Sequence, residues 1–189
     1  MKKLVCALAL LLPMGGLNAL ELVKEESVLN FVTVKNDAVA ELMSFSSLTG
    51  SIDDATGKAE LIVDLSSVET GIDIRNDRMR EHLFQIDKFP SATYSATVEM
   101  ANLNAMAVGE QKNIELRGEL KLHGKTAPVV FKVIVTKRSD ESFHAATSSP
   151  AFISANSFEL APGIGKLRSL AGLQNIDLVV PVTFSVVFQ

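Results

Sequence analysis

The residues able to do chemistry are few and scattered. The three histidines, His82, His123 and His144, form no H-x-H, H-E-x-x-H or i, i+4 pair, so a metal site has no local support. A single cysteine, Cys6, excludes a disulfide framework or a thiolate zinc site within one chain. There is no G-x-S-x-G elbow, and the serines of segments 44–47 and 148–149 read as strand and turn residues. Gly163-Ile164-Gly165-Lys166 lacks the spacing and the Ser/Thr of a phosphate loop and reads as a flexible loop. A hydrolase is therefore disfavoured. What remains is binding chemistry: Arg75, Arg78 and Arg80 cluster, and Lys166 and Arg168 follow the Gly-rich stretch. Arginine presents a planar donor fork suited to phosphate, so a diphosphate head group is one natural partner. The competing reading pairs these cations with Asp73, Asp77, Glu81 or Asp87 on the surface. At helical spacing Arg75 shares a face with Met79 and Arg78 points elsewhere, so the three arginines cannot all line one pocket. Arg75 could equally serve as the partner of a buried carboxylate.

These side chains need a scaffold, and the chain is long enough to build one. Its 189 residues carry 18 Lys+Arg against 22 Asp+Glu, for a net charge of −4. That length suggests one domain with a real core. The acidic balance offers no electrostatic footprint for nucleic acid. Lys2 and Lys3, the apolar run from Leu4 to Leu12, the break at Pro13 and Gly15-Gly16, and Asn18-Ala19 together read as a secretory signal peptide over residues 1–19. The run is too short to span a bilayer. Cleavage after Ala19 removes the cysteine and both lysines, taking the charge to −6 over residues 20–189. The leader looks bacterial, and the expected compartment is the periplasm, where a thiol-free chain cannot be mispaired.

Period-two alternation dominates residues 20–189, placing successive side chains on opposite strand faces. Ile114, Leu116, Gly118, Leu120 and Leu122 separate cleanly from Glu115, Arg117, Glu119 and Lys121. Similar stripes run through Ala59–Leu65, Val129–Val135 and Val180–Phe188, with shorter candidates at 28–35, 39–46, 92–100, 142–148 and 152–160. Turns are expected at Thr49-Gly50-Ser51 and Asp53–Gly57, and a hairpin at His123-Gly124-Lys125. His123, just before that turn, is expected to be exposed. Many strands with short connections imply a sandwich or a closed barrel. Only Asn76 to Gln85 reads as a helix, ended by Phe89-Pro90.

Two blocks then carry a resemblance. One is Ser66-Ser67-Val68-Glu69-Thr70, Arg75-Asn76, Met79-Arg80, Phe84, Phe89-Pro90 and Ala92-Thr93-Tyr94; the other is Gly118, Leu120, Leu122, Gly124, Thr126, Pro128 and Val129. At this separation they resemble the YceI-like family of bacterial exported proteins. Arg75 matches the family's helix string, whereas Asn76 and Arg78 stand where that string carries Asp and His. The resemblance implies an all-β fold, an extended antiparallel lipocalin-like β-barrel with one short helix covering part of it. It also implies a long isoprenoid or related lipid in the interior.

Within that frame the apolar lining is expected from Leu61, Val63, Met79, Phe84, Leu116, Leu120, Phe131, Val133, Phe184 and Val186. Arg75, Arg78, Lys166 and Arg168 are expected at the head group, with Leu167, Leu170, Ala171 and Leu173 as a lid or satellite core. No catalytic residue, metal or other cofactor is expected beyond a bound isoprenoid lipid or quinone. The expected role is a carrier or buffer touching a membrane or membrane protein transiently, as monomer or homodimer. The alternatives are a quinone-holding participant in periplasmic electron transfer, and a stress-related adaptor with a filled core.

Overall fold

A computed structural model describes residues 19–139 and 141–189. The leader expected at 1–19 falls outside these residues except for Ala19, which opens the first strand. In chain order the strands are β1 (Ala19–Glu21), β2 (Val28–Lys35), β3 (Val39–Phe45), β4 (Leu48–Asp53), β5 (Lys58–Asp64), β6 (Val68–Glu69), β7 (Ser91–Thr97), β8 (Gln111–Leu122), β9 (Lys125–Ser139), β10 (Ser142–Thr147), β11 (Ala151–Ser154) and β12 (Val179–Phe188). The helices are α1 (Asp73–Arg78), which widens into a π-type turn over Met79–Phe84, then α2 (Met100–Asn104) and α3 (Ala161–Ala171).

The described strands form one sheet in the order β1-β4-β5-β7-β8-β9-β10-β12-β2-β3-β6, with β11 paired to β12. Twist and unequal strand lengths curl it into an extended barrel. The N-terminal segment bridges β4 and the end of β12, closing the curl. Glu21 and Gln189 exchange backbone hydrogen bonds of 2.7 and 2.9 Å, and the Val23 N–H donates to the Val187 carbonyl at 2.8 Å, while β1 pairs β4 on its other edge. The longest ladder, β8 with β9, runs from Gln111↔Thr136 to Leu122↔Lys125. Its tight turn has His123 and Gly124 both at positive φ, 51° and 75°, the twist a two-residue hairpin requires. His123 is half-buried rather than exposed: its ring lies 4.5 Å from that of Phe89, and its Nδ1 is 3.2 Å from the Phe158 carbonyl oxygen.

Four local expectations change. Thr49-Gly50-Ser51 is the middle of β4, because a Cβ on Gly50 would sit 2.4 Å from the Glu60 carbonyl oxygen: the glycine admits a close strand, not a turn. The strand expected at 152–160 stops at Ser154 and becomes a single 3₁₀ turn over Ala155–Phe158. Segment 163–168 is helix, not flexible loop. Pro162 starts α3 at a position that needs no N–H donor, and Gly172 at φ 65° ends it. The first helix begins at Asp73, earlier than expected, and stops where Gln85 turns left-handed.

The two barrel ends are closed differently. At one end Met100, Leu103 and Met106 of the α2 region are buried as a plug. At the other, α3 lies against the π-type turn. Gly163 makes this possible, since a Cβ there would stand 2.7 Å from the His82 carbonyl oxygen and 2.9 Å from the Leu83 Cα. Buried Asn76 ties α1 to β6: its Oδ1 accepts from the Thr70 N–H (3.0 Å) and hydroxyl (2.6 Å), and its Nδ2 donates to Glu69 Oε1 at 3.3 Å.

Gly118 faces inward on β8, and a Cβ there would lie 2.4 Å from the Ser95 carbonyl oxygen and 2.6 Å from the Tyr94 ring and hydroxyl. Gly118→Ala should therefore lower stability by about 1–3 kcal/mol, read as a lower urea midpoint with an unchanged slope.

Candidate functional site

Between the inward sheet face and the helices lies a cavity of about 440 Å³. That falls inside the range of roughly 300–1,000 Å³ common for small-molecule sites. The strand walls are built by alternation: Leu29, Phe31 and Thr33 from β2, Met43 and Phe45 from β3, Leu61 and Val63 from β5, and Tyr94 from β7. Leu120 and Leu122 of β8, Phe131 of β9, and Val180, Val182 and Phe184 of β12 continue the wall. The helical wall is Met79, Leu83 and Phe84 with Leu160 at the start of α3 and Ile164, Leu167 and Ala171 at helical spacing on one face of it. Phe31 stacks on Phe45 at 5.3 Å, and Phe45 meets Phe84 at 5.7 Å, joining sheet and cover. A core filled throughout, the premise of the adaptor alternative, is not what this barrel contains.

Seven of the expected lining residues therefore face one space: Leu61, Val63, Met79, Phe84, Leu120, Phe131 and Phe184. Leu116, Val133 and Val186 do not. They face a separate space of about 70 Å³ nearer the α2 plug. Alternation assigns a residue to the inside of a barrel but not to a height along it, and these three lie below a layer of aromatic rings. In that layer Tyr94 meets Phe131 edge-on at 5.1 Å, and Phe131 meets Phe184 at 5.1 Å. The Tyr94 hydroxyl lies 3.0 Å from the carbonyl oxygens of both Leu116 and Val129, and its single proton can serve only one of them at a time.

Charge is confined to the mouth. Arg75 donates from Nη1 to Glu41 Oε2 at 2.8 Å and from Nη2 to the Thr70 carbonyl at 2.6 Å; its Nε is buried without a partner among the described residues. Lys35 Nζ stands 2.9 Å from the same Glu41 oxygen. Arg75 is thus largely committed to a carboxylate, the structural role that sequence left open. Arg78 also lines the mouth, with one long contact of 3.4 Å to the Leu170 carbonyl. Arg80 turns away to Asp77 (2.9 Å) and the Ser66 carbonyl (2.7 Å). Lys166 and Arg168 do not reach the cavity; they are exposed on α3, because Ile164 and Leu167 take its inward face.

Sequence reasoning missed Lys35, Glu41 and Asp177, which join the rim, and Ile72 and Ile74, which are exposed apolar residues on its edge. The signal was present for two of them: Lys35 shares its parity with Phe31 and Thr33, and Glu41 with Met43 and Phe45. Among the described residues no cluster of three or more His, Cys, Asp or Glu could hold a metal.

The Lys35 hydrogen bond and the Arg75 charge hold the Glu41 carboxyl below its ordinary range despite partial burial. A lowered carboxylate contributes stability above its unfolded-state pKa and loses it as pH falls through the folded value, so this cluster outlasts ordinary glutamates on acidification. Burial pushes the Tyr94 phenol up to about 12. Tyr94 is the sole tyrosine and the chain has no tryptophan, so its ultraviolet titration is unobscured. The absorbance midpoint should fall near 12 in the folded protein. The raised value favours the neutral form, so the contribution to stability should be intact below pH ~10 and fade as pH rises toward the folded midpoint.

A family model described as YceI-like domain matches residues 21–188. A solved structure described as a polyisoprenoid binding domain from Saccharophagus degradans, implicated in plant cell wall breakdown, is 36% identical. It superposes with a TM-score of 0.87 over 90% of this chain and 97% of that one. BcnA of Burkholderia cenocepacia, at 22% identity and a TM-score of 0.65 over 88% of this chain and 98% of its own, shares the fold. Among curated protein sequences none matches.

Proposed function

The chain belongs to the YceI-like domain family, and on that premise we propose that it encloses an isoprenoid-type lipid, tail in the barrel and head at the mouth. The observation that carries this reading is the separation of chemistry along the cavity. Its depth is apolar, and its charged groups, Lys35, Glu41, Arg75, Arg78 and Asp177, stand at the rim. The relative from Saccharophagus degradans, described as polyisoprenoid-binding, supports the same ligand class. Enclosure is the whole mechanism: burying a tail contributes about 0.8 kcal/mol per methylene. About ten buried carbons then give a gross 8 kcal/mol, micromolar before association costs are subtracted. In this reading the chain is exported to the periplasm by its leader and acts as a carrier or buffer. Exposed Ile72 and Ile74 at the rim suit transient contact with the membrane that supplies the lipid.

The charge arrangement bears on the head group. Because Glu41 already engages Lys35 and Arg75, and Asp177 adds a second carboxylate, the rim leaves a diphosphate mainly Arg78, whose single charge does not balance it. A neutral head that accepts hydrogen bonds fits better, and a quinone-headed isoprenoid is the second reading on that ground.

Organic extraction of protein purified without detergent, followed by mass spectrometry, should release an isoprenoid-chain lipid. Failure to recover one, together with failure to bind one in vitro, overturns the proposal. An ultraviolet spectrum of the extract separates a quinone from other heads. Affinity for an added isoprenoid should change less than about threefold across a tenfold rise in salt, because an apolar tail and a compensated rim give screening little to act on. A steep loss would instead indicate an anionic head held by free cations.

A further inference from the structure

The two spaces inside the barrel are separated by one layer of side chains. Leu61, Tyr94 and Phe184 line both the large cavity of about 440 Å³ and the small one of about 70 Å³. We propose that this layer is the tail-length ruler of the site: it is the floor against which the far end of a bound apolar chain stops. The inference rests on the lipid-enclosing reading above and adds to it the residues that decide which chain lengths fit.

The floor is built to stay in place. Tyr94 is anchored at both ends of its side chain, by the β7 backbone and by its hydroxyl against the Leu116 and Val129 carbonyl oxygens, each 3.0 Å away on β8 and β9. Gly118 leaves the room its ring and hydroxyl occupy, since a Cβ there would come within 2.6 Å of both. Phe131 then wedges edge-on between Tyr94 and Phe184, at 5.1 Å from each. Swinging Tyr94 aside would break a buried hydrogen bond and its edge-on contact with Phe131, so a tail gains too little from the small space beyond to displace it. Leu61 differs: among the described residues its side chain makes no hydrogen bond or ring contact, and it completes the layer by bulk alone. Shortening Leu61 should open a passage without releasing Tyr94, and enlarging it should raise the floor.

The test uses the full exported chain, stripped of lipid, and a series of all-trans isoprenyl alcohols of increasing length. Binding is followed by Tyr94 fluorescence, the sole tyrosine signal. For the unmodified protein, affinity should climb with each unit and then level at a definite length. Leu61→Ala should move that plateau to longer members, the first excluded member gaining about tenfold, and Leu61→Phe should move it to shorter ones by a similar factor. Phe184→Leu, a milder opening of the same layer, should shift the limit in the direction of Leu61→Ala, and circular dichroism identifies the folded variants. An unshifted plateau in every folded variant overturns the ruler while leaving lipid enclosure standing. Absence of binding by the unmodified protein for any member overturns lipid enclosure, and the ruler with it.

Discussion

The pleat of the antiparallel ladder is the constraint on which the rest of the molecule depends. Each strand must put alternate residues inside, and once the sheet curls, those residues face an interior from which backbone polar groups are absent because the ladder has paired them. β8 illustrates this from end to end, alternating exposed and half-buried residues over all twelve positions from Gln111 to Leu122. The inside of the barrel can therefore be apolar without leaving donors or acceptors stranded, and where side chains do not reach across, the space remains hollow at little polar cost.

The exceptions to apolarity follow a rule. Tyr94 brings a hydroxyl into the interior and satisfies it on the carbonyls of the two facing strands. Asn76 is buried at the cover and bonds to Thr70 and Glu69. The charged groups of the cavity lie at its rim, where Glu41 holds Lys35 and Arg75 together, and buried Lys137, on β9 near the α2 plug, donates from Nζ to the Asn104 carbonyl at 2.9 Å. Polar chemistry along this cavity is thus either consumed internally or placed at the opening.

Two glycines show how packing, more than loop freedom, explains residues that looked like loop or site signals. Gly50 resembled a turn residue and is where β4 passes close to β5; Gly163 sat in a segment resembling a phosphate loop and is where α3 crosses the π-type turn. In each the missing Cβ is a distance requirement set by the backbone of a neighbouring element, the next strand for Gly50 and a segment about eighty residues earlier for Gly163.

The alternating stripes, the His123-Gly124 hairpin, the helix near Met79 and the inward parity of Leu61, Phe131 and Phe184 were all legible in the order of residues, because pleat and turn are local rules acting over two to four positions. The two motif blocks, by their residues and separation, added the resemblance to the family and with it the barrel. What residue order could not supply was height and partnership. Leu116 and Leu120 have the same parity and similar chemistry, yet the ring of Tyr94 puts them on opposite sides of a floor. Arg75 and Arg168 are the same residue type near the same cover, yet one meets Glu41, thirty-four positions away, and the other faces solvent. Sequence alone determined which side chains face inward; only the closed tertiary structure decided which of them share a cavity, because that depends on contacts between strands whose separation along the chain carries no local signal.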